Sequence, residues 1–519
     1  MTTARTGPGA TGMSARELWT LTVVCSAVAL VIAAAAALNS ALPAMALDTG
    51  ATQSELTWIV DGYTLTLAAL LLPAGALGDR FGRRGVLLGG LAIVAAASAG
   101  AIWLDSPQWL ICTRAVAGVG AALVMPATLS LLTATFPPEH RARGVAIWSG
   151  VAASGGIAGL LVSGLLLETW PWQSIFVGFA VAAIALFTAT WTISPSRDEH
   201  PPRFDVPGAL LAVAAVGLLV LGVLEGPLCG WSDPVPLIAI VGGLICGAVF
   251  AIVELRRAEP LLDVRLFGNR AFGAGAASVT LQFLASFALF YLIVQYMQLV
   301  LGYSPLQSGL ALAPMIVPTM AISAAIPWLL PRLGLRWLSV LGLVFAGVGM
   351  IVFAGVDADS GYGATVGALL IYSVGVGLCT APATHAIVDN TPDGKQGVAS
   401  AVNDTTREIG AAVGIALAGS LLAATYNTNI APAVEAVPEP AKEPVGSSLA
   451  AALEVAKMAG PQGDQLAEFA RTAFMDGVST AAYALAAVLL VAAVGVGVCA
   501  PGRRTSALGA DAETPALVD

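Results

Sequence analysis

The stretch Gly75-Ala-Leu-Gly78-Asp79-Arg80-Phe-Gly82-Arg83-Arg84 lies between two long apolar runs. It puts four charged residues, three of them Arg, into a short segment of a chain that is only 11% charged. An apolar helix cannot carry such a cluster through hydrocarbon, where each charged group is costly. One membrane span therefore ends here and the next begins. Its arginines assign the turn to the cytoplasmic side, because short inner loops carry Lys and Arg.

Composition supports the same reading along the whole chain. The protein has 519 residues, 57% of them apolar, with a mean hydropathy of +0.84. Soluble domains are about 45–50% apolar and about 25% charged, so an integral membrane protein is expected. Net charge says little here, because orientation follows the placement of Lys and Arg near span ends. Cys25, Cys112, Cys229, Cys246, Cys379 and Cys499 show no paired spacing, which implies neither a disulfide framework nor a metal site. The first apolar run, 18–45, is too long for a signal-peptide core and lacks a clear cleavage site, so it is expected to stay in the mature chain. The dominance of Ala, Gly and Val, with Arg far above Lys, fits a high-GC bacterium.

A span needs about 20 mostly apolar residues. Fourteen such segments are read, at 18–45, 55–78, 86–104, 108–134, 144–168, 173–194, 207–226, 236–255, 271–301, 306–329, 337–356, 363–389, 398–426 and 476–500. With the amino terminus inside, the inner loops and both tails hold 18 of the 23 Lys and Arg residues, and every short outer loop holds none. Arg114 and Arg407 lie within spans, and Lys442, Lys457 and Arg471 lie in one long outer loop. A missed or extra span would scramble this separation.

The chain also repeats. Asp79-Arg-Phe-Gly82-Arg-Arg84 answers to Pro331-Arg-Leu-Gly334-Leu-Arg336, and Gly118-Val-Gly120 with Pro126-Ala-Thr128 answers to Gly375-Val-Gly377 with Pro382-Ala-Thr384. Gly144-Val-Ala146 answers to Gly397-Val-Ala399. The nearly constant offset defines two six-span halves, spans 1–6 and 9–14, with spans 7 and 8 inserted. Parallel halves of this kind enclose a midplane cavity and rock against each other. The expected organisation is a cytoplasmic tail (1–17), a six-helix bundle (18–194), an inserted helix pair with its loops (195–270), a second six-helix bundle (271–500) containing outer loop 427–475, and a cytoplasmic tail (501–519).

With these motifs the chain resembles the fourteen-span drug:proton antiporter branch of the major facilitator superfamily, over nearly its whole length. Leu56-Thr-Trp-Ile-Val-Asp61-Gly-Tyr63 is similar to that branch's second-span signature, and Arg114-Ala-Val-Ala-Gly118-Val-Gly120 to its fourth-span Arg motif. Gly397-Val-Ala-Ser-Ala-Val-Asn403-Asp404-Thr-Thr-Arg407-Glu408 is similar to its thirteenth-span signature. The resemblance implies an all-α membrane fold of two six-helix bundles plus two inserted helices. It also implies that Asp79 and the arginines latch the halves together on the cytoplasmic side when the carrier is open outward. There are departures. Ala34 stands where relatives often carry an acid in span 1, Leu160 follows Gly159 where a Gly-Pro is usual, and Thr319 falls where some multidrug relatives carry an acid in span 10. These losses count against dicationic substrates more than against export.

Ionisable groups inside a bilayer usually face a cavity or a partner. Asp61 and Arg114 each lie about seven residues below the outer ends of their spans, roughly 10 Å deep. A pair at that depth would keep Asp61 ionised, and separation would let a proton bind. The alternative is a permanent ion pair pinning two helices. Asp404 reaches Arg407 and Glu408 at i+3 and i+4 spacing, so the three share one helix face. Glu408 lies roughly 16 Å above the inner end, near the midplane, where a proton-coupling acid belongs. The alternative is that Arg407 neutralises the cluster and it only braces the helix.

Gly75, Gly78, Asp79, Arg80, Gly82, Arg83 and Arg84 are read as a gate rather than a binding site. Positive-inside topology alone explains the arginines but not Asp79 or the glycines, and Pro331 makes any latch one-sided. In span 9, Gln282, Phe287, Phe290, Tyr291, Gln295 and Gln298 are candidates for the cavity wall, since aromatics with a few amides suit lipophilic substrates. For each alone, helix packing is the competing reading. His385 is read as structural. Outer loop 427–475 has helix-like runs at 448–459 and 464–475 and is either a cap on the outer mouth or a solvated spacer.

The expected function is proton-driven export of lipophilic, neutral or monocationic drugs or metabolites by alternating access, from a bacterial plasma membrane with both termini cytoplasmic. The rivals are a lipid or cell-envelope precursor transporter on the same fold, and a non-transporting sensor or scaffold. No nucleophile–base constellation, metal-ligand spacing or phosphate loop is visible, so an enzyme is not expected. The partners expected are small lipophilic substrates, protons and membrane lipid. No cofactor and no nucleic acid are expected, and the chain is expected to act as a monomer.

Overall fold

The computed structural model describes residues 13–103, 106–194 and 204–502, and every regular element among them is helical. Arg5, Arg197, Arg203, Arg503 and Arg504, and most of both predicted tails, lie outside the described residues.

The first bundle begins with α1 (Ala15–Ala36), which runs into a 3-10 turn, and a short outer helix, α2 (Leu42–Thr49). It continues with α3 (Gln53–Phe81), α4 (Arg83–Ile102), α5 (Pro107–Thr135), α6 (Pro138–Leu167) and α7 (Gln173–Trp191). The inserted pair is α8 (Val206–Cys229) and α9 (Pro234–Arg256). The second bundle holds α10 (Arg270–Gln295), α11 (Pro305–Leu312), α12 (Ile316–Ala354), α13 (Tyr362–Asp389) and α14 (Gln396–Ala436). It ends with α15 (Glu439–Ser447), α16 (Leu449–Met458) and α17 (Asp464–Cys499). Capping boxes Ser14–Glu17, Thr52–Glu55 and Ser304–Gln307 start α1, α3 and α11 by satisfying free amides of the first turn.

Among the described residues, thirteen continuous helical stretches are long and apolar enough to cross a membrane. One of them, Pro305–Ala354, runs 50 residues, far beyond the roughly 20 that a single crossing needs. It breaks at Gly334, whose φ of 75° and ψ of 168° are not helical. Counted as two arms, it restores fourteen crossings. Gly82, the matching glycine of the first half, ends α3 at φ 99°. Only glycine adopts these angles readily, so both copies of the repeat use it to turn the chain back. The copies agree again two residues on. Arg84 Nη1 donates to Ile193 O just beyond the end of α7, and Arg336 Nε donates to Ala500 O just beyond the end of α17, each at 2.8 Å.

Each bundle buries its own apolar core. Across the bundle interface, α3 packs on α14, and α6 on α11 and α12. The inserted α8 lies along this seam. Val216, Val220 and Val223 share one apolar cluster with Ala68 of α3 and with Ala412 and Ala416 of α14. Trp231 Nε1 donates to Ser420 Oγ at 2.9 Å, tying the α8–α9 turn to α14. At the opposite end, Asp205 caps α8 through the Gly208 amide and pairs with Arg257.

The long outer segment is helical rather than a bare spacer. α14 extends to Ala436, and α17 begins at Asp464. Val445, Leu449 and Ala452 are buried in the second bundle's core, and Tyr426 Oη donates to Val445 O at 3.0 Å.

Candidate functional site

The gate is built at the arginine-rich end, called the inner end below. The Asp79 carboxylate is buried and accepts from the backbone amide of Gly397 at 2.8 Å and of Val398 at 3.1 Å. These amides open α14, where unpaired N–H groups and the helix dipole favour an anion. Arg83 Nη2 donates to Asp79 Oδ1 at 3.0 Å, holding the carboxylate in place. A Cβ on Gly75 would sit on Gly397 O and 2.6 Å from Ala401 Cβ, so only glycine allows α3 and α14 to meet. Gly78 has open space at the same test. The arginines divide their work. Arg80 lies over Phe81, while Arg84 lies over Trp191 and binds Ile193 within the first bundle. Pro331, at the position matching Asp79, has no side-chain acceptor, so no equivalent acid exists in the second half.

Asp61 and Arg114 do not pair. Depth along a helix placed them level, but the packing turns Arg114 elsewhere. Its Nε donates to Ile59 O at 3.1 Å and its Nη2 to Ala34 O at 3.0 Å. Its guanidinium lies 4.2 Å from the Tyr63 ring centroid, and Tyr63 Oη donates to Val31 O at 2.8 Å. Arg114 therefore joins α1, α3 and α5, using the carbonyl of Ala34 where relatives often carry an acid. Asp61 is half-buried. Gly217 and Ala69 touch across the α3–α8 contact, and the two helices run antiparallel. Asp61 and Glu225 are equally far from that contact (61 to 69, 217 to 225), so they sit level. Glu225 was missed in the sequence because it falls at the ragged end of a span.

Asp404, Arg407 and Glu408 do share one face of α14, but no ion pair forms between Arg407 and either acid within 4.0 Å. Arg407 is 1% exposed. Its guanidinium carbon lies 4.8 Å from the Trp148 ring centroid and 4.9 Å from that of Phe283. Arg407 Nη2 donates to Thr384 Oγ1 at 3.3 Å. Thr384 Oγ1 donates to Asn403 Oδ1 at 2.9 Å, and Asn403 Nδ2 to Asp404 Oδ1 at 3.1 Å. Arg407 Nε and Nη1 and Asp404 Oδ2 are buried with no hydrogen-bond partner among the described residues. Glu408 is half-buried on the same helix.

Gln282 is not an open cavity wall. It is 2% exposed, donates to Ser286 Oγ at 2.9 Å and accepts from Thr380 Oγ1 at 2.7 Å. It stitches α10 to α13. Phe287 and Phe290 are half-buried and in edge contact, with Phe283 next in the same ladder. Tyr291 lies against Gly419 of α14, and Gln295 Nε2 donates to Tyr291 O at 3.2 Å. Gln298 is half-buried in a π-turn, Tyr296–Val300. Thr319 is buried and donates to Met315 O at 2.9 Å and Ser373 O at 3.3 Å. A cavity of about 510 Å³ lies instead at the inner end of the second bundle, lined by Leu330, Pro331, Leu335, His385, Asp389 and Asn390 among others. His385 Nδ1 is 3.1 Å from Asp389 Oδ2 in its wall.

Similarity to known proteins agrees with this architecture. The chain is 33% identical over 501 residues to the multidrug efflux pump LfrA of Mycolicibacterium smegmatis, covering 96% of this chain and 99% of the relative. It is 31% identical to the tetracenomycin C resistance and export protein of Streptomyces glaucescens, covering 93% and 92% of the two chains. The solved structure of the human organic anion transporter MFSD10 superposes with a TM-score of 0.62 at 13% identity, over 93% of this chain and 100% of that one, which shows a common fold. The family model of the Major Facilitator Superfamily matches residues 24–415. This multi-pass membrane chain belongs to the major facilitator superfamily.

Proposed function

We propose that this chain is a proton-driven exporter of lipophilic, neutral or monocationic compounds, working by alternating access between its two bundles. The observation that carries the reading is the placement of Asp404, Arg407 and Glu408. They lie on α14, which packs on α3 and α5 of the first bundle, and Arg407 lies over Trp148 of α6. Carboxylates at such a seam can change charge as the bundles part, which a proton-coupled carrier needs. Asp61 takes up protons near the outer end, with Glu225 beside it, and Glu408 takes them deeper. Arg114 holds α1, α3 and α5 in register.

The energetics suffice. For a neutral substrate a potential of 100 mV supplies about 2.3 kcal/mol per proton, enough for about a fiftyfold gradient; a monocation exchanged for one proton moves no net charge and is driven by the pH gradient alone. The drug-export names of the relatives support the substrate class. Apolar or neutral residues at Ala34 and Thr319 favour neutral or singly charged compounds over dications. The chain resides in a bacterial plasma membrane as a monomer with both termini cytoplasmic, and its long apolar outer faces meet lipid.

The test is transport by the purified full-length chain in proteoliposomes with a panel of substrates. Ethidium and a neutral lipophilic dye should accumulate under an imposed pH gradient, and methyl viologen should not. Pumping of a lipid precursor alone would replace this reading with lipid transport.

A further inference from the structure

We propose that Arg407, pressed between Trp148 and Phe283, lets the two bundles close on each other only when the carboxylates beside it are neutralised, with Trp148 as the positioning residue. The proposal rests on the proton-coupled reading above and gives it a moving part.

The contact crosses the bundle interface. Trp148 is on α6 of the first bundle, whereas Arg407 and Phe283 are on α14 and α10 of the second. All three side chains are buried. The repeated Pro-Ala-Thr motif supplies both mounts. Thr128 Oγ1 accepts from Trp148 Nε1 at 3.1 Å and donates to Met125 O at 2.7 Å, fixing the indole. Thr384, its counterpart in the second half, accepts from Arg407 at 3.3 Å. One threonine of the repeat thus orients the ring, and the other orients the cation that meets it.

The groups that bear on Arg407 are few. Asp404 and Glu408 act on it from its own helix. From α3 comes Tyr63, which carries the guanidinium of Arg114 of α5 over its ring. α6 brings Trp148, α10 brings Phe283 and the bonded Gln282, and α13 brings Thr384, with His385 turned to the inner cavity. Two guanidinium nitrogens and Asp404 Oδ2 have no hydrogen-bond partner among the described residues, and they lie three residues apart on one helix. With Asp404 and Glu408 ionised, their charge draws Arg407 along α14 towards Asp404 Oδ2 and off the indole. With them neutralised, no counter-charge remains, and the ring faces are what stabilise the buried cation. A bound proton or a bound monocation supplies that neutralisation, so closure is favoured for the carrier loaded with either and disfavoured for the empty one, which prevents futile cycling.

The experiment compares the full-length protein with Trp148→Leu, Trp148→Phe and Glu408→Gln in proteoliposomes, using ethidium as probe. Trp148→Leu should lower pH-gradient-driven accumulation by about tenfold or more, the ratio a buried cation–π contact supports. It should also flatten the dependence of transport on pH, while ethidium affinity stays within about twofold. Trp148→Phe, which keeps an aromatic face, should restore most of both. Normal pumping by Trp148→Leu overturns the proposal, as does loss of ethidium binding together with pumping or failure of Phe to rescue. If Glu408→Gln pumps normally, the proton-coupled reading itself fails. If Glu408→Gln fails to pump while Trp148→Leu pumps normally, only the clamp is wrong.

Discussion

The Asp79 carboxylate at the inner end of α3 accepts the Gly397 amide at 2.8 Å, so a side chain of the first bundle caps a helix of the second. The bond joins positions 318 residues apart and is backed by Val398 at 3.1 Å. Opening the inner side must break both bonds and expose a buried charge.

Asp79→Asn keeps the shape but loses the charge and one accepting oxygen. The latched form should lose about 2 kcal/mol, roughly a thirtyfold shift toward inner-open. Maleimide labelling of Val398→Cys, in a background without the native cysteines, should rise accordingly. Unchanged protection would mean that the latch carries no such energy.

Two glycines of the same turn should behave oppositely. Gly75→Ala drives a methyl group into Gly397 O and Ala401, which must push α3 off α14. Gly78→Ala meets nothing within 4 Å. The first should increase the same labelling and impair transport, and the second should leave both near wild type. Equal behaviour would contradict the close approach.

Arg114→Ala should act on stability. It leaves the carbonyls of Ile59 and Ala34 without their donor and removes the cation over Tyr63. A loss of about 2–4 kcal/mol is expected, seen as a lower melting temperature in detergent. Asp61→Asn should melt like wild type and fail to pump. A normal melting temperature for Arg114→Ala would return Arg114 to a purely proton-handling role.

Gln282→Ala should cost about 1–2 kcal/mol by breaking the bond from Thr380, without changing the half-saturating concentration of ethidium. A large change in that concentration would put Gln282 back in the substrate path.

Much of this architecture is legible in the residues, for identifiable reasons. Charge clusters end spans, so the turn at Asp79–Arg84 and the fourteen crossings follow from Lys and Arg placement. The repeat also marks Gly82 and Gly334 as paired turning points before any angle is known. Depth is readable too, because a helix rises a fixed distance per residue. Azimuth is not. Asp61 and Arg114 share a depth, yet their pairing depends on helix rotation, which only packing sets. Trp148, Phe283 and Tyr63 look like ordinary apolar residues until an arginine is found on their faces. The acceptors of Arg114 and the donors that reach Asp79 from the second bundle are backbone groups, which carry no residue signature.

The central claim is that protons work through the α14 carboxylates, and Glu408→Gln in proteoliposomes tests it most directly. Ethidium accumulation under an imposed pH gradient should fall to the level of empty liposomes while ethidium still binds. Undiminished accumulation by Glu408→Gln would contradict the account.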